Sequence, residues 1–294
     1  MLFRSTTRRT SWAPAGHRVA WDQSVLATSD RVAPPVRLRS STEAVSDSTD
    51  LAVSADVGLW RAPIDNDGVE VGPLSGVAGM SPYWRRLGLN EITSTVRSRR
   101  LGDDAEQLVI DCVTATGERF THRRRINVTD GWVVVEEDLS LPTAWTDLPR
   151  VGISLELPAE LDRLRWYGRG PWETAVDRSA APLGIWSSKV AEQFVPYVTP
   201  QHHGTHVDTR WLTLADRRGR GWVLGLDGLA FDVSVYSVDA VTRATNLAQL
   251  EPSGAVHLHI DAALRGVGTA ACGPDTDVIV RGGRHRFVWR LARL

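Results

Sequence analysis

Three short stretches of this 294-residue chain concentrate side chains that can bind, stack or move protons. In Trp60-Arg61-Ala62-Pro63-Ile64-Asp65-Asn66-Asp67-Gly68 an aromatic ring, a cation, a proline turn and three polar side chains follow one another. Asp65 and Asp67 have the chemistry to coordinate calcium or to accept hydrogen bonds from sugar hydroxyls, but no Glu closes an EF-hand loop. The same residues also suit an Asx-type turn at a strand end. In Arg165-Trp166-Tyr167-Gly168-Arg169-Gly170-Pro171-Trp172-Glu173-Thr174 two glycines relieve steric limits beside aromatic rings. Its Gly-x-Gly is no dinucleotide fingerprint, because Pro171 follows at once and no helix opens. The third stretch, Pro200-Gln201-His202-His203-Gly204-Thr205-His206-Val207-Asp208, gathers histidines and a carboxylate. His202 and His206 would share a helical face, but Gly204 between them and the strand-like Arg210-Trp211-Leu212-Thr213-Leu214 after them indicate a loop, so no metal site is expected.

Elsewhere the chemistry is sparse. His257 and His259 fall on one face of a predicted strand, and Glu251 is the only carboxylate offered as a partner for acid–base work of the epimerase kind. No Gly-x-Ser-x-Gly elbow and no phosphate-binding loop occur, and neither Cys112 nor Cys272 has a histidine nearby in sequence. Asn127-Val128-Thr129 has the spacing of a glycosylation acceptor but lacks a secretory context.

The elements that must position these residues are strands. Period-two alternation runs through 108–113, 132–136, 221–226, 256–261 and 286–291, and only Pro82 to Leu89 has helical spacing. So many strands without βαβ alternation argue for an all-β fold, a large antiparallel sandwich or barrel. No internal repeat points to a propeller. Trp12 to Leu26 reads as a hairpin end and one strand, whereas Ala27 to about Asp50 turns to Ser, Thr, Asp and Pro, the composition of a linker or poorly ordered loop. The resulting division is 1–27, a polar linker over 28–52, and the main β unit over 53–294.

Composition narrows the partners. The net charge of -1, from 34 basic and 35 acidic residues, lacks the footprint of nucleic-acid or anionic-membrane binding. No apolar run reaches the roughly 18 residues of a membrane span and no signal-peptide core is present, so a cytoplasmic location is expected. Two cysteines are too few for a disulfide framework. Twelve tryptophans offer flat apolar surface for packing a wide sheet or stacking on sugar rings.

The three clusters, in this order, resemble the C-terminal domain of glycoside hydrolase family 2 β-galactosidases, the small chain or domain 5. The resemblance runs from about Leu59 to Leu294. It rests on Trp60-Arg61-Ala62-Pro63-x-Asp65-Asn66-Asp67, on Tyr167-Gly168-Arg169-Gly170-Pro171-x-Glu173 followed by Asp177-Arg178, and on Pro196-Tyr197-Val198-x-Pro200-Gln201 followed by Gly204, Arg210 and Trp211. Gly16-His17-x-Val19-Ala20-Trp21 is similar to the last strands of the immunoglobulin-like domain that precedes this unit in full-length members, which makes 1–27 a remnant of that domain.

The resemblance implies an antiparallel supersandwich of the galactose mutarotase-like type. It also implies that both catalytic carboxylates belong to a (β/α)₈ barrel, which alone needs about 250 residues. No catalytic residue is therefore expected here, and no cofactor in this chain; magnesium or sodium would belong to the catalytic chain. The implied partners are a large catalytic β-galactosidase chain, further copies of this chain, and a galactoside. Trp60, Arg61, Asp65, Asn66 and Asp67 are expected to bind carbohydrate or line the cleft, and Tyr167, Arg169, Glu173, Asp177 and Arg178 to form a structural motif.

In some members a tryptophan from a late Gly-rich loop stacks on the sugar. The matching position here falls at Cys272 or Gly273, which are expected to line the cleft without supplying a ring. His202-His203 stands where Glu-Asn is frequent, and Ala175 where Tyr is frequent. The stretch between Trp21 and Trp60 is short for the family, so an open sheet edge is expected. The alternative function is a stand-alone carbohydrate-binding module, with Trp60, Trp166, Tyr167 and Trp172 as platforms.

Overall fold

The computed structural model describes residues 2–24, 34–36, 38–39, 41–68, 80–102, 105–268 and 276–294. The alternation of apolar and polar residues becomes strands throughout. A hairpin of β1 (Leu2–Thr6) and β2 (Arg18–Gln23) comes first, then α1 (Thr42–Ser54), β3 (Asp56–Gly58) and α2 (Ser81–Arg86). A run of antiparallel strands follows: β4 (Ile92–Leu101), β5 (Ala105–Thr114), β6 (Arg119–Thr129), β7 (Trp132–Ser140), β8 (Arg150–Pro158), β9 (Arg163–Arg169) and β10 (Leu183–Lys189). The chain closes with β11 (Trp211–Ala215), β12 (Gly221–Gly225), β13 (Ala230–Ser234), α3 (Val238–Arg243), β14 (Ala255–Leu264) and β15 (Arg284–Arg293).

Two antiparallel sheets share the core. The large one has the order β10-β9-β11-β12-β15-β7-β6-β5-β4, and the small one β13-β14-β8-β3. On β7 every second residue is buried, so Val133, Val135 and Leu139 join Trp289 and Leu291 of β15 on one side of the core. Ile153 and Leu155 of β8 and Leu258 and Ile260 of β14 meet them from the small sheet. This is the all-β antiparallel supersandwich expected. The sheets have edges: the short β3 ends the small sheet, while β13 at its other end is bridged by His206, whose backbone exchanges hydrogen bonds with Phe231 (2.8 and 3.0 Å).

The stretch read as linker is corrected over 42–52, which is helical. Ser41 caps α1, its Oγ accepting from the Ala44 N–H at 3.2 Å. The buried face consists of Ala44, Ser48 and Ala52, spaced four apart and small enough for the helix to lie close to β15 and β7. At its C-terminal end Arg124 of β6, fully buried, donates from Nη1 to the carbonyls of Ala52 and Ala55 (2.8 Å each). Those carbonyls have no partner within the helix. The Arg124 charge is balanced by Glu137 of β7 at 2.9 Å, which also bonds His122 (2.7 Å) and accepts from Trp289 Nε1 (3.0 Å). Helical structure is thus wider than the single segment expected: α2 matches it, and α1 and α3 add to it. No helix among the described residues is long and apolar enough to cross a membrane.

Candidate functional site

The first cluster leaves β3 and turns through a single 3-10 turn, Asp65–Asp67, ended by Gly68 at φ 93°, a left-handed conformation that favours glycine. Arg61 is 1% exposed and Asp67 0%, so their pairing lies beneath the surface. Arg61 Nη2 donates to both Asp67 oxygens (2.9 and 3.0 Å), and the Ile64 N–H donates to Oδ2 at 3.0 Å. Arg265 stands 3.6 Å from the same carboxylate and bonds Asp147 through Nε at 3.0 Å. The rings and cations interleave: the Arg61 and Arg265 guanidinium groups sit 5.7 and 6.0 Å from the centre of the Trp84 ring. Burial pushes the Asp67 carboxyl up and the Arg61 guanidinium down, against the mutual attraction that keeps them paired.

Asp67 and Trp60 are therefore frame rather than contact surface. Trp60 is buried, donates from Nε1 to Thr242 Oγ1 (3.1 Å) and meets Trp84 edge-on. The tips of the motif that reach solvent are Asp65, which is exposed, and Asn66, which is half-buried.

The second cluster ends β9. The Tyr167 ring packs near Trp211, and Arg169 bonds Asp208 (2.5 Å) and the Ala181 carbonyl (3.0 Å). At Gly170 a Cβ would come within 2.7 Å of the Trp186 ring, the close approach that demands glycine there. Glu173 ties this cluster to the third: it accepts from Tyr197 Oη, from Arg178 Nη2 (2.7 Å) and from the Gly204 N–H (2.9 Å). The third cluster is tied in turn to the first, because Gln201 Oε1 accepts from the Asp65 N–H at 2.9 Å.

Asp177 and Asn66 fix the late Gly-rich segment from both sides. Asp177 accepts from the N–H groups of Val267 (3.0 Å) and Gly268 (2.9 Å) and from Thr276 Oγ1 (2.8 Å). Asn66 Nδ2 donates to the carbonyls of Val267 and Gly268 at 2.7 and 2.8 Å. Burial alone would raise the Asp177 carboxyl, but these donors outweigh it and hold the group below its ordinary value. Cys272 and Gly273 lie outside the described residues.

Together the clusters enclose an open cleft of about 690 Å³, with Arg61, Asp65, Asn66, Glu173, Asp177, Arg178, Tyr197, Gln201 and His202 among its lining residues. Of the residues expected at a cleft, Arg61, Asp65 and Asn66 line it, and Glu173, Asp177 and Arg178 of the expected structural motif line it beside them. Trp60 and Asp67 stand behind them, and Tyr167 and Arg169 support the β9 end. What the arrangement does chemically is hold shape: Asp67, Glu173 and Asp177 are each engaged by several donors, while Asp65 and Arg178 keep polar atoms at the rim.

The three histidines serve separate tasks. His202 is hydrogen-bonded to Thr205 Oγ1 (2.7 Å), His203 donates from Nδ1 to the Gln201 carbonyl (2.8 Å), and His206 contacts Gln193 and the Arg169 carbonyl. Burial holds His206 down at about 4, so its ring is neutral near pH 7. The pairing of Glu251 with His257 or His259 is not formed: His257 bonds Ser253 (2.7 Å) and His259 bonds Asp232 (3.0 Å), and Glu251 is exposed.

Of the four aromatic platforms, Trp60 and Trp166 are buried, Tyr167 is half-buried, and Trp172 is exposed beneath the Arg18 guanidinium, 5.2 Å from its ring. Two of the four rings are thus packed inside the sandwich rather than offered as platforms. Sequence reasoning missed one cluster, in which Arg150 bonds both Asp232 and Asp261, the latter at 2.9 Å. Charged residues inside apolar strand runs, Asp232 in Ala-Phe-Asp-Val and Asp261 after Ile260, were the available signal.

Fold and site together define an antiparallel supersandwich in which three polar motifs from distant parts of the chain build a single cleft. The chain belongs to the beta galactosidase small chain family, whose model matches residues 38–281. It is 31% identical to the β-galactosidase of Arthrobacter sp. (strain B7) over 326 aligned positions, which cover 96% of this chain and 32% of that protein. With β-galactosidase 2 of Enterobacter cloacae the identity is 28%, over 96% of this chain and 31% of the relative. The chain thus spans about a third of the length of these relatives. Among solved structures, a galactose mutarotase related enzyme from Lactobacillus acidophilus aligns with 70% of this chain and 72% of that one, at 7% identity and a TM-score of 0.36.

Proposed function

We propose that this chain is the small-chain component of a family 2 β-galactosidase, supplying a cleft wall and an interface to a catalytic barrel carried by another polypeptide. Family membership supports the β-galactosidase part of this reading. The observation that carries the supporting role is the state of the cleft carboxylates. Retaining hydrolysis needs an acid/base and a nucleophile about 5 Å apart, both free to meet the glycosidic bond. Glu173 and Asp177 instead have their oxygens occupied by backbone N–H groups and neighbouring side chains, and Asp67 is sealed under Arg61. Such a surface shapes a cleft without performing the chemistry.

In this reading the galactoside is held between the barrel and the rim formed by Asp65, Asn66 and Arg178, and the assembly works in the cytoplasm. The test is hydrolysis of o-nitrophenyl-β-galactoside by the purified chain, alone and mixed with the catalytic chain encoded nearest to it. Turnover only in the mixture is the expected result; turnover by the chain alone would overturn the proposal.

A further inference from the structure

Beside the cleft lies a second, smaller groove of about 420 Å³. The two share a wall, because Val176, Leu264 and Val278 line both. Small residues leave the space open: Gly228 and Ala230 around the start of β13, and Ala262 and Ala263 near the end of β14. A β-bulge between Asp261 and Ala263 interrupts the pairing of β14 with β8 at this point, and Ala262 is left exposed. Val207, Ala230 and Leu264, which line the groove, are buried as a small apolar cluster separate from the main core. Val176, Val278 and Ile279 are 38%, 38% and 41% exposed, three branched aliphatic side chains gathered at one opening.

Polar side chains in these walls are already engaged. Arg169 holds Asp208 (2.5 Å), Arg150 holds Asp261 (2.9 Å), and His285 bonds the Arg281 carbonyl (2.8 Å). What the groove presents to a ligand is therefore chiefly aliphatic surface. Its position selects the occupant. Asn66 and Arg178 form the rim given above to the galactoside, and both adjoin the shared wall: Val176 precedes Arg178 by two residues, Asn66 donates to the Val267 carbonyl, and the Gly266 N–H donates to the Val278 carbonyl at 3.0 Å.

We propose that this groove is an aglycone site, taking an alkyl or aryl group joined to the galactose through its β-glycosidic oxygen. This rests on the small-chain reading and names its substrate class, galactosides whose second half is apolar rather than another sugar. Affinity would come from apolar surface removed from water, in a concave site that already has that shape.

Calorimetry on the full chain without the catalytic chain, with octyl β-galactoside below its micelle concentration and with methyl β-galactoside, tests the groove directly. The octyl compound should bind about 10-fold tighter or more. Val278→Asp and Ile279→Asp, at exposed positions of the rim, should each remove most of that preference, while Val198→Asp, at a 92% exposed position outside the groove, should keep it. Equal binding of the two compounds would overturn the inference. So would a preference that survives both groove variants, or one that Val198→Asp abolishes equally. In the mixture with the catalytic chain of the hydrolysis assay, KM for the octyl compound should lie below that for the methyl compound and rise in Val278→Asp. Turnover with equal KM for both would overturn the aglycone assignment alone, whereas no turnover of either would overturn the small-chain reading, which the calorimetry on the single chain does not depend on.

Discussion

Arg150 is fully buried and brings one nitrogen, Nη2, against two carboxylates, Asp232 and Asp261. The two acids part company in consequence. Burial and the neighbouring Asp232 push Asp261 up to about 7, whereas Arg150 and His259 overcome burial to hold Asp232 well below the ordinary carboxylate value. An acid raised in the folded state is most favourable to folding below its unfolded value of 3.8, and that contribution is lost as pH rises toward about 7. Asp261→Asn, which mimics the protonated form, should therefore gain on the parent in urea unfolding as pH rises, by more at pH 8 than at pH 5. Asp232→Asn leaves Arg150 without an ionised partner at pH 5 and should cost about 3–5 kcal/mol there, and less at pH 8, where Asp261 is ionised. An equal loss for Asp261→Asn at the two pH values would refute the assignment. None of this was legible in the sequence, because alternation places a strand without saying which of its acids will face an arginine a hundred positions away. Asp65, Asn66 and Glu173 drew notice because each lies in a dense local motif, whereas the inward turn of Trp60 and Asp67 depends on Trp84 and Arg265, which lie outside it.

At the scale of elements, α1 shows where sequence reading fell short and why. Its buried face of Ala44, Ser48 and Ala52 has helical spacing, but small residues leave no mark in a search for large apolar repeats, and the surrounding Ser, Thr and Asp look like linker. The helix depends on Arg124 and Glu137, which no local pattern connects to it. Burial alone would raise the Glu137 carboxyl, yet Arg124 and His122 outweigh it and bring it to about 2 from an unfolded value of 4.5. A depressed acid contributes stability above the unfolded value that is lost as pH falls toward 2, here about 3 kcal/mol. Glu137→Gln should lower neutral-pH stability by about that amount and flatten the acid limb between pH 4.5 and 2 in thermal unfolding. An acid limb as steep as the parent's would show that another group governs it. The strands, by contrast, were read correctly wherever alternation was strict, as in β7, where every second residue is buried.

For the whole molecule, the order of the three motifs along the chain was readable, but their meeting in one cleft needs the sandwich. Gln201 reaches Asp65 and Asn66 reaches Val267 only because the loops that carry them gather at one place on the fold. The dependence of α1 on Arg124 also bears on the sequence of events during folding. Arg124 lies on β6 and its counter-charge on β7, so the last carbonyls of the helix find their donor only after those two strands have paired. The helix α1 should therefore be among the last elements to settle. Ala52→Gly, at a fully buried helix position, is expected to speed unfolding while leaving the refolding rate unchanged in stopped-flow measurements, the signature of contacts formed after the transition state. A slowed refolding limb would place the helix in the nucleus instead, and a newly made chain would then build this sandwich outward from its N-terminal side rather than inward from the centre of its large sheet.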